Sequence, residues 1–313
     1  MNKNKKNNGP TETLVMSICK KHFFNDETVI SVERMLSGDT TFVYRINMTE
    51  KTFYARFLPN DGRFNIELLV HKTLSEYNIN IPRILFFEEE NVETGFSFMI
   101  EEEMHGMSLE EAYPKDNELE KILFDAGRQL AQINRISSIE GFGVFDVQSR
   151  VKLKGEKKSF EEYFFYSFEE RLVFLDMYPF TTSERTYIRK ITEIAKKKLN
   201  VKTPVLATGD FTLEHIFHVN GQYTGIIDLG KSCGNNRLYD LGYFTAFYQN
   251  RTMLGYLLEG YQIIETLDKE DLHSIELMAL CVLVKMLGIK AHTNRNSYCY
   301  GLMKQQLKVD YII

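Results

Sequence analysis

The segment that most restricts the fold of this chain covers residues 208–240, TGDFTLEHIFHVNGQYTGIIDLGKSCGNNRLYD. Two strand-like runs flank a short turn in this segment: Ile216 to Val219, and Thr224 to Ile227. The turn contains Asn220-Gly221, a pair that favours a tight β-hairpin. The hairpin would place Asp210, which precedes its first strand, near Asp228, which ends its second strand.

Two carboxylates at the mouth of one hairpin suit phosphoryl transfer. This chemistry needs a carboxylate that orients the attacking hydroxyl, and ligands that hold Mg²⁺ on the nucleotide phosphates. Mg²⁺ prefers oxygen ligands and keeps several waters, so one or two protein ligands are enough. We therefore predict Asp210 as the catalytic base and Asp228 as a metal ligand. Two loop aspartates that only cap turns are the structural alternative.

The motif Thr208-Gly209-Asp210, then His215, then Ile227-Asp228 resembles the catalytic core of the aminoglycoside phosphotransferase family, a branch of the eukaryotic-like kinase fold. In that family the pattern is His-Gly-Asp, four residues, Asn, a hairpin and Ile-Asp. Thr208 replaces a mostly structural His. His215 replaces the Asn that binds the second metal, and neutral imidazole is a poorer Mg²⁺ ligand than an amide oxygen. His215 therefore either contacts metal, or hydrogen-bonds the catalytic loop, or leaves one of two metals poorly bound.

The resemblance also implies a nucleotide site in the first third of the chain. The family has a lysine that reaches the phosphates, and Arg56 takes this position on the strand predicted over 51–58. Arginine stays charged and can pair with two phosphate oxygens. Glu67, on the following helix, is its expected partner. Ser37 and Gly38 lie in a loop whose backbone N–H groups would cover the phosphates. A solvated strand arginine and an ordinary hairpin turn are the structural alternatives.

The order of elements resembles the family from about residue 28 to residue 306. It implies an α+β, bilobal protein-kinase-like fold, with a small antiparallel β-sheet lobe over 1–103 and a larger, mainly helical lobe over 104–313. ATP or GTP would bind between the lobes together with Mg²⁺. Within the family, the hygromycin B phosphotransferases look most similar, at Tyr54-Ala55-Arg56, from Gly141 to Phe145 and around Gly225-Ile226-Ile227-Asp228.

Three segments of the large lobe give further expectations. Ser108-Leu109-Glu110-Glu111 has the spacing of a helix-starting capping box. Gly141-Phe142-Gly143 predicts a turn. The segment SFEEYFFYSFEERLVFL, residues 159–175, predicts a helix with an apolar face and an acidic face. The acidic face either is simply solvated or lines the acceptor cleft and attracts a cationic substrate.

Composition narrows the partners and the compartment. The net charge is -5 and there are no long basic runs, which argues against nucleic acid and suits a cationic acceptor. No apolar run reaches the length of a membrane span, and the polar N-terminus does not predict a signal peptide. The four cysteines lack CxxC spacing, as expected in a reducing cytoplasm. We expect a cytoplasmic monomer.

Three functions fit these patterns. The first is an O-phosphotransferase that inactivates a small hydroxylated antibiotic, such as an aminoglycoside. The second is a metabolic kinase for an amino alcohol or sugar. The third is a non-catalytic pseudokinase, which the departures at Thr208, Arg56 and His215 support. A protein kinase is disfavoured, because Ile227-Asp228-Leu229-Gly230 stands where Asp-Phe-Gly is expected.

Overall fold

The computed structural model describes residues 9–22, 29–35, 41–289 and 294–309, but not the side chains at 288–289 and 294–297. The predicted phosphate loop, with Ser37 and Gly38, lies outside the described residues. The first part of the chain forms one antiparallel five-stranded sheet in the order β1-β2-β3-β5-β4. Its strands are β1 (Val29–Met35), β2 (Phe42–Met48), β3 (Thr52–Pro59), β4 (Ile84–Glu88) and β5 (Phe96–Glu102).

Aromatic side chains hold this sheet together. Phe57 on β3 stacks on Phe98 on β5, with ring centroids 4.6 Å apart, and Tyr44 on β2 meets Phe57 edge-on. The alternation of apolar and polar residues in β2 puts one face of the sheet in the core, as a half-buried strand requires. Two helices accompany the sheet, α1 (Glu12–His22), which packs on β1, and α2 (Arg63–Glu76), which follows β3.

The rest of the chain is mainly helical. Its strands form two small sheets, β11-β10-β6 and β8-β7-β12-β9. The strands are β6 (Met107–Ser108), β7 (Phe142–Phe145), β8 (Gly155–Lys157), β9 (Val205–Ala207), β10 (Ile216–Val219), β11 (Gln222–Ile226) and β12 (Cys233–Asn235). The helices are α3 (Asp116–Asn134), α4 (Phe168–Val173), α5 (Thr182–Lys198), α6 (Tyr239–Tyr248), α7 (Arg251–Gln262), α8 (Lys269–Ile289) and α9 (Asn294–Gln306).

Helix α3 forms the support on which the catalytic hairpin rests. Its apolar residues recur every three or four positions, so one face is buried in the largest core cluster. It packs closely against α7 at two glycines. A Cβ on Gly127 would lie 2.0 Å from the Leu257 carbonyl oxygen, and a Cβ on Gly260 would lie 1.8 Å from the Phe124 carbonyl oxygen. Only glycine allows this helix contact.

Three expectations for the large lobe were wrong. Ser108 and Glu111 exchange capping-box hydrogen bonds, but the chain forms only a turn there and no helix begins. Gly141-Phe142-Gly143 enters strand β7 instead of a turn, because β7 is paired by β12 and β8. The helix expected over 159–175 is broken into a π-helix (Glu161–Phe165), α4 and a 3-10 helix (Phe174–Met177). Buried Phe160, Phe164 and Phe168 pack against one another in this segment.

The architecture therefore has the predicted α+β composition, a small antiparallel sheet unit followed by a larger helical unit. Strand β5 ends at Glu102, and the division of the chain at residue 103 stays a prediction. Among the residues described, no helix is both long enough and apolar enough to cross a membrane.

Candidate active site

The catalytic hairpin consists of β10, a two-residue turn and β11. Asn220 and Gly221 both have positive φ, 49° and 75°, as the predicted tight turn requires. The return strand starts at Gln222 and ends at Ile226, so it is shifted toward the turn relative to the predicted run. Beyond it, the Ile227 N–H donates to the His215 carbonyl oxygen over 3.1 Å. This bond sets Asp228 opposite His215.

Asp210, His215 and Asp228 converge on one point. One ligand atom from each lies within 4.8 Å of the others. His215 Nδ1 is 2.8 Å from the Asp210 carbonyl oxygen, which can only accept, so Nδ1 carries the proton. With Nε2 unprotonated, the ring presents its lone pair to Asp228 Oδ2, 3.6 Å away. A lone pair facing a carboxylate oxygen fits a cation bound between them, so the donor set suits a divalent metal.

The Asp210 side chain is held by a residue that sequence reasoning missed. Lys231 Nζ donates to Asp210 Oδ2. The approach depends on Gly209, which has φ +82° and whose Cβ, if present, would lie 2.0 Å from the Lys231 carbonyl oxygen. The only sequence signal for Lys231 is its place three residues after Asp228.

Asp240 anchors the catalytic loop, the segment from Thr208 to His215 that contains Asp210. This fully buried carboxylate accepts from the backbone N–H groups of Thr208 and Gly209 over 3.0 and 3.1 Å, and from Thr208 Oγ1 over 3.0 Å. Asn134 on α3 donates to it as well, over 3.2 Å. Burial raises the pKa of the Asp240 carboxyl, and the hydrogen bonds partly offset that rise. The threonine at 208 is thus part of the anchor.

Arg56 and Glu67 form the predicted pair. Arg56 Nη1, on β3, donates to Glu67 Oε1 on α2, and Arg56 Cζ lies 5.5 Å above the Phe64 ring. Burial opposes the charge on Arg56, but the neighbouring carboxylates of Glu67 and Glu101 outweigh burial and raise its pKa. Glu101 on β5, which sequence reasoning did not assign, accepts from the same Nη1 over 3.3 Å.

The Asp210, His215 and Asp228 cluster and the Arg56–Glu67 pair meet beside Gly230. A Cβ on Gly230 would lie 3.5 Å from Asp228 Oδ1 and 3.6 Å from Glu67 Oε2, so these carboxylates face a shared space. The fold thus brings together five of the seven predicted site residues: Arg56, Glu67, Asp210, His215 and Asp228. Ser37 and Gly38 fall outside the described part of the chain.

The fold is that of the kinase-like phosphotransferases. The structure is similar to a crystal structure of aminoglycoside phosphotransferase APH(4)-Ia, with a TM-score of 0.72 and 14% identity over 95% of this chain and 99% of that one. It is also similar to the GDP complex of aminoglycoside 2'-phosphotransferase-IIIa, with a TM-score of 0.66 and 18% identity over 95% of this chain and 98% of that one. These likenesses confirm the predicted bilobal fold.

The sequence profile described as the phosphotransferase enzyme family matches residues 33–273. The chain belongs to this family, which confirms both the predicted family and the predicted enzyme class. A ternary complex of a thermostable APH(4)-Ia mutant with ADP and hygromycin B is a further similar structure, with a TM-score of 0.70 and 12% identity over 94% of this chain and 98% of that one. No curated protein sequence matched the chain.

Proposed function

We propose that this phosphotransferase moves the γ-phosphoryl group of ATP or GTP to a hydroxyl of a small cationic antibiotic, such as a hygromycin-like aminoglycoside, and so confers resistance. The observation that carries the proposal is the convergence of Asp210, His215 and Asp228 on one point, beside Arg56 and Glu67. Phosphoryl transfer depends mainly on positioning and on stabilising negative charge, and these residues supply both.

Asp210 would orient the acceptor hydroxyl and accept its proton. Its carboxylate is almost fully buried, and the loop that carries it is tied to Asp240 by three hydrogen bonds, so its position is set before substrate arrives. Lys231 neutralises this carboxylate from the solvent side. When the hydroxyl binds, it takes a place at the carboxylate next to the lysine.

Arg56 would hold the nucleotide phosphates. Glu67 and Glu101 both bind Nη1, and within the described residues Nε and Nη2 have no hydrogen-bonding partner. Those donors are free for anionic oxygens, and a guanidinium can bind two of them at once. Ser37 and Gly38 would complete the phosphate site with backbone N–H groups.

Asp228 and His215 would hold the metal. A bound Mg²⁺ would neutralise charge on the phosphate oxygens. Asp228 lies in the left-handed region, with φ +57°, and a non-glycine residue there has a strained conformation often found at functional sites. His215 offers Nε2 because its Nδ1–H is already donated to the Asp210 carbonyl oxygen.

The acceptor class rests on charge and on the similar structures. The net charge of -5 favours a cationic substrate, and the similar APH(4)-Ia mutant was crystallised with hygromycin B. The acidic side chains of the segment 159–175 are exposed, and we propose that some of them face the acceptor cleft. The four cysteines are buried, and we expect a monomer in a reducing cytoplasm.

The test is nucleotide consumption by the purified protein with Mg²⁺ and ATP or GTP. The acceptors would be aminoglycosides including hygromycin B, macrolides, amino alcohols and sugars. We expect one antibiotic to stimulate turnover and Asp210→Asn to reduce it by about 100-fold or more. Asp125→Asn, on the exposed side of α3, is the matched control and should keep full activity.

The other outcomes separate the alternatives. Stimulation only by an amino alcohol or sugar would refute the antibiotic substrate and establish a metabolic kinase. Nucleotide binding with no stimulated turnover, equal in wild type and Asp210→Asn, would refute catalysis and leave a pseudokinase. Growth of a sensitive host on the stimulating antibiotic, lost with Asp210→Asn, would establish resistance.

A further inference from the structure

Two carboxylates from different elements share one nitrogen of Arg56. Glu67, on α2, and Glu101, on β5, both accept from Nη1. The side chains are 11% exposed for Arg56, 3% for Glu67 and 16% for Glu101, so all three are largely removed from water. The pair with Glu67 is the one that the family pattern predicts. The contact with Glu101 is additional.

Strand register puts Glu101 within reach of Arg56. In the β3–β5 pair, Arg56 lies opposite Met99 and Tyr54 lies opposite Glu101. Arg56 and Glu101 are therefore diagonal neighbours on the same face of the sheet, a spacing that long side chains bridge. The next two glutamates have other partners. Glu102 pairs with Arg83 over 2.6 Å, and Glu103 pairs with Arg45 over 3.1 Å.

A second carboxylate has a specific consequence for an arginine. Arginine presents a planar fork of donors, whereas lysine is a compact point charge. With two acceptors on Nη1 and the Phe64 ring against Cζ, the plane of the guanidinium is fixed. The unused donors, Nε and Nη2, then point in one direction. One carboxylate alone would leave the fork free to turn about its contact.

We propose that Glu101 is the positioning residue for Arg56, so that arginine at 56 and glutamate at 101 form one unit that presents the guanidinium fork to the nucleotide phosphates. This inference rests on the proposed function. It assigns a role in nucleotide binding to a strand residue that acts through the orientation of Arg56.

The energetics of burial make the two residues interdependent. Burial raises the pKa of the Glu101 carboxyl to about 7, although Arg56 lowers it, and the charges of Glu67 and Asp228 add to the rise. Removing the guanidinium leaves two buried carboxylates facing each other, which is more costly than removing the whole pair. A lysine at 56 would reach one carboxylate, as a point charge, and leave the other without its partner.

A double-mutant cycle tests the inference. The variants are Arg56→Lys, Glu101→Met and the double variant, in the full chain. Methionine keeps the length of the side chain and removes its charge. Glu93→Gln is the matched control. Glu93 lies in the same lobe, in the turn between β4 and β5, and it is ion-paired with Lys21. The measurements are ADP affinity by calorimetry with Mg²⁺, KM for nucleotide and acceptor, kcat, and melting temperature.

We expect Glu101→Met to raise the nucleotide KM and the ADP Kd about tenfold, with the acceptor KM unchanged. Arg56→Lys should weaken ADP binding by roughly 100-fold. The double variant should bind ADP about tenfold more tightly than Arg56→Lys, because the lysine then has only Glu67 to pair with. A residue with only a structural role would lower the melting temperature without this rescue. Glu93→Gln should match wild type throughout.

Additive effects in the cycle, or an unchanged or improved nucleotide KM in Glu101→Met, would overturn the inference. If Glu101→Met does not fold, Glu101→Gln keeps the shape and an acceptor oxygen but removes the charge, and it should still bind ADP more weakly than wild type; equal affinity would overturn the inference. If the wild-type protein binds ADP and transfers phosphate, and Glu101→Met has the same ADP affinity and nucleotide KM, this inference alone is refuted. A wild-type protein that binds no nucleotide refutes the proposed function as well.

Discussion

Asp240→Asn should destabilise the catalytic loop, and the hydrogen bonds of Asp240 determine how much free energy of unfolding is lost. Each carboxylate oxygen of Asp240 accepts one backbone N–H: Oδ1 from Gly209 and Oδ2 from Thr208. Whichever oxygen becomes an NH₂ group then faces a backbone donor. One buried N–H is left without an acceptor, which costs about 1–3 kcal/mol, and the other hydrogen bonds lose their charge assistance. Because burial raises the pKa of this carboxyl, removing its charge returns part of the cost.

The expected net loss is about 2 kcal/mol of the free energy of unfolding, which for a chain of 313 residues corresponds to a melting temperature lower by roughly 3 °C. Urea unfolding followed by circular dichroism measures the first value, and calorimetry measures the second. A catalytic group displaced by about 1 Å costs around 100-fold in rate, so kcat should fall on that order. ADP affinity should change little, because Arg56 and Glu67 are on other elements.

Asp125→Asn is the control for Asp240→Asn. Asp125 is a partly exposed aspartate on α3 that pairs with Arg128, three residues away, and such a pair contributes at most about 0.5 kcal/mol. An Asp240→Asn protein that unfolds with the same free energy as the Asp125→Asn protein would refute the view that Asp240 carries the loop. Normal stability together with a large loss of kcat would refute it too, since it would point to a direct role in the chemistry.

Two further substitutions test the groups around the metal. Lys231→Met removes the ammonium that holds Asp210, and because this lysine side chain is largely exposed the ion pair is worth about 1 kcal/mol, so kcat should fall roughly fivefold. A kcat equal to wild type would exclude such a role for Lys231. His215→Asn replaces imidazole by the amide oxygen that Mg²⁺ prefers, so the ratio of Mn²⁺ to Mg²⁺ affinity in the ADP-bound protein should fall by about tenfold, or 1.4 kcal/mol. Titration calorimetry measures both affinities, and an unchanged ratio would mean that His215 does not bind the metal.

The catalytic hairpin could be predicted because its signals are local. Asn220-Gly221 dictates a turn within the hairpin itself, and the two runs beside it pair across that turn. Once the hairpin forms, Asp210 and Asp228 must lie near each other. The prediction of a turn at Gly141-Phe142-Gly143 was wrong for the opposite reason. Its glycines look like turn residues, but Phe142 and Gly143 become part of β7 through pairing with β8 and with β12, which lies about 90 residues further along the chain.

Lys231 and Glu101 could not be found from the sequence because each acts through a contact that the sequence does not encode locally. Glu101 is the first of three consecutive glutamates, and only the register of β3 against β5 separates its role from that of Glu102. Lys231 reads as a surface lysine, and its side chain is indeed 61% exposed. Its ammonium nevertheless reaches the carboxylate of Asp210, because Gly209 lets the two loops approach.

The three departures from the family pattern each have a partner in the structure, and this bears on the pseudokinase alternative. Thr208 donates its hydroxyl to the Asp240 anchor. His215 is oriented by the Asp210 carbonyl oxygen, so that Nε2 faces Asp228. Arg56 has a second carboxylate, Glu101, on the neighbouring strand. A site that has lost its function has no reason to keep a matched contact for every altered residue, so these partners favour an active enzyme over a nucleotide-binding remnant.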